Sequence, residues 1–572
     1  MATRIAPLLA SPQLQPSPAQ GGGTLRPASA SENPVTRIDY VSPLPPVRSG
    51  ISDYSVDLLP HLAARADIRL IHLPGQPVAP EVAARWPLVE AVETGRDAQG
   101  SRIPLYQMGN NRYHDGVVDL ALRLPGVLTL HDVVLHHLLL DVTLGRGLFD
   151  PYVERLTQDH GWVGNAAAVI KRWGAYGDAA VFALPAHRTL LRRQRGVLVH
   201  SRWAAELIAE EDPAIRVRAI DMGIPLPPPA DPEAGRRLRQ RFGLPEDAPV
   251  LGSFGFQTPI KRTAAVVRAL AAPGLERVHL LVVGEVSPAV DLEGEARRSG
   301  VADRVHLTDF LPYEDFEASI AAVDLCLNLR YPTAGETSAS LLRVMALGRP
   351  AVVSDYAQFT DLPETVALRV PLSDENREEE PAALAARLRE LLSHPERLRA
   401  MGAAAREHVR TQHDPERAAD AVIEAVREWQ DLVPPGDLAA PPEIPSPSSL
   451  AWGKLDGEMD VAGAELPWPE GERRTLRIRL RNRGFARWLA GERGPGGVAV
   501  VVKLFVDGED LLAHRRWLAL PRDLAPGEEA VFETDVRRPP GPPGCAHLWI
   551  EPHLFGGLGI SKYGGPRWER YL

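Results

Sequence analysis

From Thr36 onward, short apolar runs alternate with longer amphipathic stretches. "TRIDYVSPLPP" reads as a strand, and "SGISDYSVDLLPHLAAR" as a helix carrying Ile51, Tyr54, Val56, Leu58, Leu59 and Leu62. "DIRLIHL", "PGVLTLHD" and "RGVLVHS" read as further strands between helical stretches. This alternation predicts a parallel sheet with crossover helices. The proline-rich junction "MGIPLPPPADPE" then introduces a second series. It runs "APVLGSFGF", "RTAAVVRALAA", "RVHLLVVGE", "RVHLTDFL", "YEDFEASIAAV", "DLCLNLR" and "PAVVSD", again a doubly wound α/β pattern. Two such halves on one linker predict a ligand cleft at the carboxyl ends of the strands. "DPERAADAVIEAVREWQDL", residues 414–432, predicts a long amphipathic helix closing the second half.

The pattern changes after Leu432. Residues 433–449, "VPPGDLAAPPEIPSPSS", have the composition of a linker. From Leu450, "RTLRIRLRNRG", "GVAVVVKLFVDG" and "LPRDLAPGEEAVFETDV" predict strands with turns between them, an all-β sandwich over 450–572. The expected layout is a disordered Pro/Ser/Gly-rich leader over 1–34, α/β domains over 35–225 and 226–432, the linker, and the β domain.

Composition narrows the class. At 572 residues one core is insufficient, and roughly three or four domains are expected. A 44% hydrophobic, 24% charged chain with net charge -10 fits a soluble globular protein and argues against a general nucleic-acid binder. Cys326 and Cys545 lie in no ligand spacing, so a disulfide framework or structural zinc is not expected. The leader is too proline-broken for a secretion signal, and no apolar run reaches a membrane span, which predicts a cytoplasmic protein.

Six stretches carry candidate chemistry. In "RYPTAGETSASLLRVMALGRPAVVSD", Gly335 and Glu336 are expected to open a helix directly after a strand, with Thr337 and Ser338 behind them. Free N–H groups at such a start suit phosphate, while Glu336 suits the neutral hydroxyls of a sugar. The plainer reading is a first-turn carboxylate offsetting the helix dipole. In "GSFGFQTPIKR", Gly255 lets a ligand approach, and Lys261 and Arg262 are expected to open a helix where they could pair with a diphosphate or simply be solvated. In "PPVRSGISDYS", Gly50 would let the first loop close over a ligand, or merely form a tight turn. In "LTLHDVVLHHLLLD", His131 and Asp132 follow a strand end. His131, His136 and His137 fit no standard zinc spacing, and Asn110, Asn111 and His114 in "YQMGNNRYHDG" are polar enough for sugar hydroxyls. Arg188, Arg192, Arg193 and Arg195 form a basic stretch that could meet an anionic membrane surface or acceptor, weighed against a solvated helix face.

Taken in order, "PPVRSGISDYS", "YQMGNNRYH", "GVLTLHD", "VLVHSRWAAELI", "DMGIPLP", "GSFGFQTPIKR", "LLVVGE", "VHLTDFLPYEDF" and "GETSASLLRVMALGRPAVVSD" resemble bacterial family 4 glycosyltransferases over about residues 36–432. The resemblance implies a GT-B-type fold, two Rossmann-like domains facing across a cleft, and retaining transfer from a UDP- or GDP-sugar to an acceptor hydroxyl. It implies that Gly50 approaches the donor phosphates or acceptor, that His131 lines the reacting centre, and that Lys261 pairs with the diphosphate. The loop from Gly335 to Ser338, including Thr337, would receive the donor phosphates and sugar.

Two departures stand out. Relatives usually carry an arginine where this chain has Phe256. They also carry two glutamates with seven residues between them, at positions held here by Gly335, with Glu336 one place on, and by Arg343. Arg262 and Arg343 are the candidates to supply the missing positive charge. In the implied mechanism the diphosphate leaves first and takes the acceptor's proton, without a metal or other cofactor. Rival readings are a non-catalytic nucleotide-sugar-binding or scaffold protein and a phosphate-dependent phosphorylase.

The expected partners are the nucleotide-sugar donor and a glycan, lipid-linked or protein acceptor. The basic stretch would add a peripheral contact at the inner face of the membrane. The tail resembles immunoglobulin-like sandwiches and would bind glycan or protein, or cap the enzyme. Its Trp452, Trp468, Trp488, Trp517, Trp549 and Trp568 would be core or sugar platforms, with core favoured because a small sandwich needs large residues to fill it.

Overall fold

Strands β1 (Arg37–Val41), β2 (Asp67–His72), β3 (Leu88–Glu90), β4 (Ile103–Met108), β5 (Val127–Leu130), β6 (Gly196–Val199) and β7 (Val217–Ala219) form one parallel sheet in the order β3-β2-β1-β4-β5-β6-β7. Ile38 lies opposite Ile68 on one side and Ile103 on the other. β5 and β6 are buried throughout, as strands covered on both faces must be. The chain is described here from a computed structural model covering residues 36–172, 178–371, 380–438, 449, 455–484, 486–491, 497–554 and 566–572. It divides into two compact units, residues 1–440 and 441–572. The expected leader and most of the linker lie outside the described residues.

A second parallel sheet in the first unit repeats the pattern. β8 (Val250–Phe254), β9 (His279–Val283), β10 (Val305–Thr308), β11 (Leu325–Asn328), β12 (Ala351–Ser354) and β13 (Ala367–Val370) run β10-β9-β8-β11-β12-β13. The strand order reverses beside β1 in one sheet and beside β8 in the other. Loops leaving the carboxyl ends at these switch points splay apart and leave room for a ligand.

The long closing helix spans Pro415–Trp429 and buries Ala418, Val422, Ile423, Val426 and Trp429. It packs against the N-terminal lobe as well as the second. Arg427 Nε donates to Thr36 Oγ1 at 2.8 Å, and Arg65 Nε to Asp420 at 2.5 Å. The arginines of the basic stretch are engaged within the protein. Arg188 and Arg192 pair with Asp212, Arg193 pairs with Asp437, and Arg195 donates to the Leu432 carbonyl. Among the described residues no helix is long and apolar enough to cross a membrane.

The second unit is antiparallel. β14 (Gly457–Ala462), β15 (Arg473–Asn482), β16 (Val498–Val506), β17 (Glu509–Asp510), β18 (Arg516–Ala519), β19 (Glu529–Arg537), β20 (Ala546–Leu554) and β21 (Trp568–Tyr571) make two sheets. One runs β14-β15-β19, the other β17-β16-β20-β21 with β18 also on β16. Leu476, Ile478 and Leu480 of one sheet share an apolar cluster with Val500, Leu548 and Ile550 of the other. Trp468 and Trp488 fill that cluster, whereas Trp517, Trp549 and Trp568 are only partly buried; Trp452 lies outside the described residues.

Candidate functional site

The site begins where β11 runs out. Arg330 follows the strand with its side chain almost wholly buried, and its Nε donates to Glu336 Oε1 at 3.1 Å. The other Glu336 oxygen accepts from Thr333 Oγ1 at 2.9 Å. Thr333 Oγ1 in turn accepts from the Gly335 N–H and from Gln358 Nε2, which also donates to the Glu336 carbonyl. The loop is therefore held by its own side chains.

The helix expected to open at Gly335 and Glu336 begins later, at Ala339, with Ser338 Oγ accepting from the Leu341 N–H. Gly335 has φ +80°, a left-handed conformation that cannot continue into a helix. A β-carbon there would lie 2.9 Å from both Trp203 and Val133 of the N-terminal lobe. The lobes meet at this loop. Val134 N–H donates to the Ala334 carbonyl at 2.9 Å, and Thr337 Oγ1 to the His200 carbonyl at 3.1 Å.

Lys261 lies beside the loop, at the end of β8. It closes a short 3-10 turn, and the helix that follows starts at Thr263 after Arg262 adopts a left-handed φ of +56°. The Lys261 ammonium is buried and bonds the Phe254 carbonyl. Gly255, at φ +85°, makes room for it, since a β-carbon there would sit 2.9 Å from Nζ. Burial, and then the neighbouring Arg330, hold the Lys261 pKa well below the usual lysine range. Arg262 is not a spare cation, because it forms a buried ion pair with Glu380 and stacks 5.5 Å over Tyr331. Arg343 reaches across to the helix Gly50–Ala63, 3.8 Å from the Asp57 carboxylate.

From the N-terminal lobe, Asp132 faces Glu336 in this cluster, and His131 precedes it in the chain. His131 Nε2 bonds Gln107 Oε1 at 2.8 Å, and its ring packs against Tyr54 and His200 with centroids 5.0 and 4.9 Å away. Burial holds its pKa well below the usual histidine range, so the imidazole is neutral. Asp132 accepts from the Asn110 N–H at 2.8 Å. Burial first, and Glu336 second, push its carboxyl up to about 7.

Three acceptor-side or loop candidates sit as follows. The Asn110 side chain is occupied, since Oδ1 accepts from the Leu138 N–H and Nδ2 meets His137 Nδ1. His114 is fully buried against Asn111, with its pKa lowered to about 4 by burial, so it lies behind the surface. Gly50 starts its helix in open space with Ser49 as cap, and its glycine is not demanded by geometry. The first loop nevertheless reaches the other lobe, because the Arg48 guanidinium lies 5.0 Å over the Phe310 ring. Arg330, Thr333 and Gln358 were not anticipated. The only available signal was a cation directly after the apolar run "DLCLNL".

Thr337, Ser338 and His200 also line an interlobe cavity of about 680 Å³, within the size range of small-ligand sites. Among the described residues no group of three or more His, Cys, Asp or Glu is placed to hold a metal ion.

Residues 262–424 match the family model described as glycosyl transferase-like. The 2-deoxystreptamine glucosyltransferase of Streptomyces kanamyceticus is 30% identical over 185 residues, 30% of this chain. The chain spans 46% of that relative's length. Anabaena HepE, solved in complex with UDP and glucose, is 15% identical with a TM-score of 0.50, over 69% of this chain and 100% of that one. Sucrose-phosphate synthase of Thermosynechococcus elongatus is 18% identical with a TM-score of 0.48, over 69% and 98%. The HepE likeness shows the fold, two parallel α/β sheets of the GT-B type.

Proposed function

We propose that the chain is a retaining family 4 glycosyltransferase, moving a hexose from a UDP- or GDP-sugar to an acceptor hydroxyl in glycan or glycoconjugate synthesis. Residues 35–225 take the acceptor and 226–432 the donor. One observation carries this reading. The buried Lys261 amine and the buried Arg330 guanidinium share the strand ends with Glu336, while Asp132 faces Glu336 from the other lobe, next to His131 in the chain. UDP is the first nucleotide to try, since HepE was solved with it.

On this reading the diphosphate sits at Lys261, Arg330 and the backbone from Gly335 to Ser338, with side-chain cations rather than a metal cofactor meeting its charge. Arg330 takes the place of the arginine missing at Phe256. Glu336 accepts the donor sugar's hydroxyls. The departing phosphate takes the acceptor proton, and neutral His131 lines the reacting face. The C-terminal unit is a two-sheet, immunoglobulin-like sandwich appended to an enzyme working in the cytoplasm, at or near the inner face of the membrane.

A non-catalytic nucleotide-sugar-binding protein on the same fold is favoured by one observation. Both usual glutamate positions are changed, and Arg343 pairs with Asp57 instead of serving the donor. A thermal-shift panel of UDP, GDP, ADP and TDP with their sugar conjugates, followed by donor hydrolysis, separates the two. A nucleotide at 100 times its dissociation constant raises stability by about 2.7 kcal/mol. Stabilisation with slow sugar release supports the transferase, stabilisation without release supports the binding protein, and no stabilisation contradicts both.

A further inference from the structure

Strand alternation sorts the side chains of the C-terminal unit into an inward face and two outward faces, and the outward faces differ. On β14-β15-β19 the outward residues are arginines and acids, such as Arg479 paired with Asp460 and Arg477 opposite Glu533. That is an ordinary solvated surface.

The outward face of β16-β20-β21 is aromatic. Phe505, His547 and Tyr571 form one row across three strands, and Lys503, Trp549 and Glu569 the next. His547 and Tyr571 stack with centroids 4.2 Å apart and planes within 5°, and Tyr571 is 62% exposed. Phe505 lies 5.7 Å from Trp549, and Trp517 on β18 extends the strip beside His553 at 5.3 Å. The core does not need these rings, because Trp468 and Trp488 already fill it.

Polar groups are fixed among the rings. Glu551 accepts from Lys503 Nζ at 2.5 Å and lies 2.9 Å from His553 Nε2. Burial alone would raise its pKa, but these partners reverse that and bring it to about 2. Formal charges on the strip cancel, Lys503 and Arg567 against Glu551 and Glu569.

We propose that this outward face of the C-terminal unit binds a neutral glycan chain. Pyranose C–H faces would lie on the aromatic rings, displacing the Arg567 guanidinium that lies 4.0 Å over Trp549, and ring hydroxyls would meet Glu551 and Lys503. Balanced charge disfavours a nucleic acid or an anionic membrane, both of which need a net cationic surface. Rings running in rows across three strands form a strip rather than a pocket, which suits a chain better than a single sugar. The inference stands independently of the activity proposed for the first unit.

The test uses the full chain and calorimetric titration with maltoheptaose, cellohexaose, chitohexaose, xylohexaose and mannohexaose, with heparin fragments and phosphatidylserine vesicles as charged controls. At least one neutral oligosaccharide should bind. Affinity should fall about tenfold in Trp549→Ala and in Tyr571→Ala, the scale of one lost aromatic contact. Tyr571→Phe, which keeps the ring, and Arg479→Ala on the opposite face should bind as the parent does, which separates loss of the platform from loss of folding. Failure of every neutral oligosaccharide to bind, binding that survives both alanine variants, or binding only to heparin or vesicles overturns the proposal.

Discussion

Asp132 shows what burial does to a single carboxyl at the site. Its folded-state pKa is raised to about 7, so between the unfolded value of 3.8 and about 7 the folded state holds the extra proton. Stability attributable to Asp132 is therefore present below pH 4 and falls as pH rises through this window. Asp132→Asn should be more stable than the parent at pH about 8, by roughly 1–3 kcal/mol, and equal to it at pH about 4. Urea unfolding at the two pH values checks this, and a variant gaining nothing at the higher pH contradicts it.

Lys261 makes the complementary case. A buried amine held below its usual range should take up a proton when a diphosphate arrives. Calorimetry of UDP binding at pH about 9, in two buffers of different ionisation enthalpy, should show proton uptake that disappears in Lys261→Met. Equal apparent enthalpies in both buffers would contradict this. Lys261 and Glu336 were legible as candidates because their residue types and their places after strand ends are visible in sequence. The engagement of Arg262 was not, because its partner Glu380 lies 118 positions away. Nor was the use of Asn110, whose acceptor contact is with a backbone N–H 28 residues on.

At the scale of elements, the strand and helix pattern was readable because periodicity reports burial directly. Both sheets follow the alternation from which they were predicted. Where the sequence misled was at a joint. "GETS" has the composition of a helix start, yet the helix waits until Ala339 because Gly335 turns left-handed against the opposite lobe. Composition does not display a positive φ or a neighbour from another lobe. The same geometry gives a prediction. Gly335→Ala forces a side chain into the left-handed region, costing about 1–2 kcal/mol, and presses on Trp203 and Val133. Thermal unfolding should show a drop of several degrees, with donor hydrolysis lost in step, and an unchanged melting temperature would contradict the interlobe contact.

Over the whole molecule, the first unit works as two lobes that meet at the loop from Ala334 to Thr337, at Arg48 on Phe310 and at Arg343 beside Asp57. The last contact is a partly exposed pair and carries little free energy, about 0–1 kcal/mol. If Arg343 serves only to bridge the lobes, Arg343→Ala should leave UDP affinity within about twofold. A loss of about tenfold or more in a direct titration would return Arg343 to the donor site.

On the proposed reading, Glu336, between Arg330 and Thr333, holds the sugar of a nucleotide donor. The most direct test is NMR-monitored turnover of UDP-glucose and GDP-mannose by the parent chain and by Glu336→Gln, with nucleotide affinity measured on both. The parent should release sugar with retained anomeric configuration in the first-formed product, and Glu336→Gln should lose about a hundredfold or more of that turnover at nearly unchanged UDP or GDP affinity. Turnover that survives Glu336→Gln would contradict this reading, and so would a parent chain that binds the nucleotide and releases no sugar from any donor.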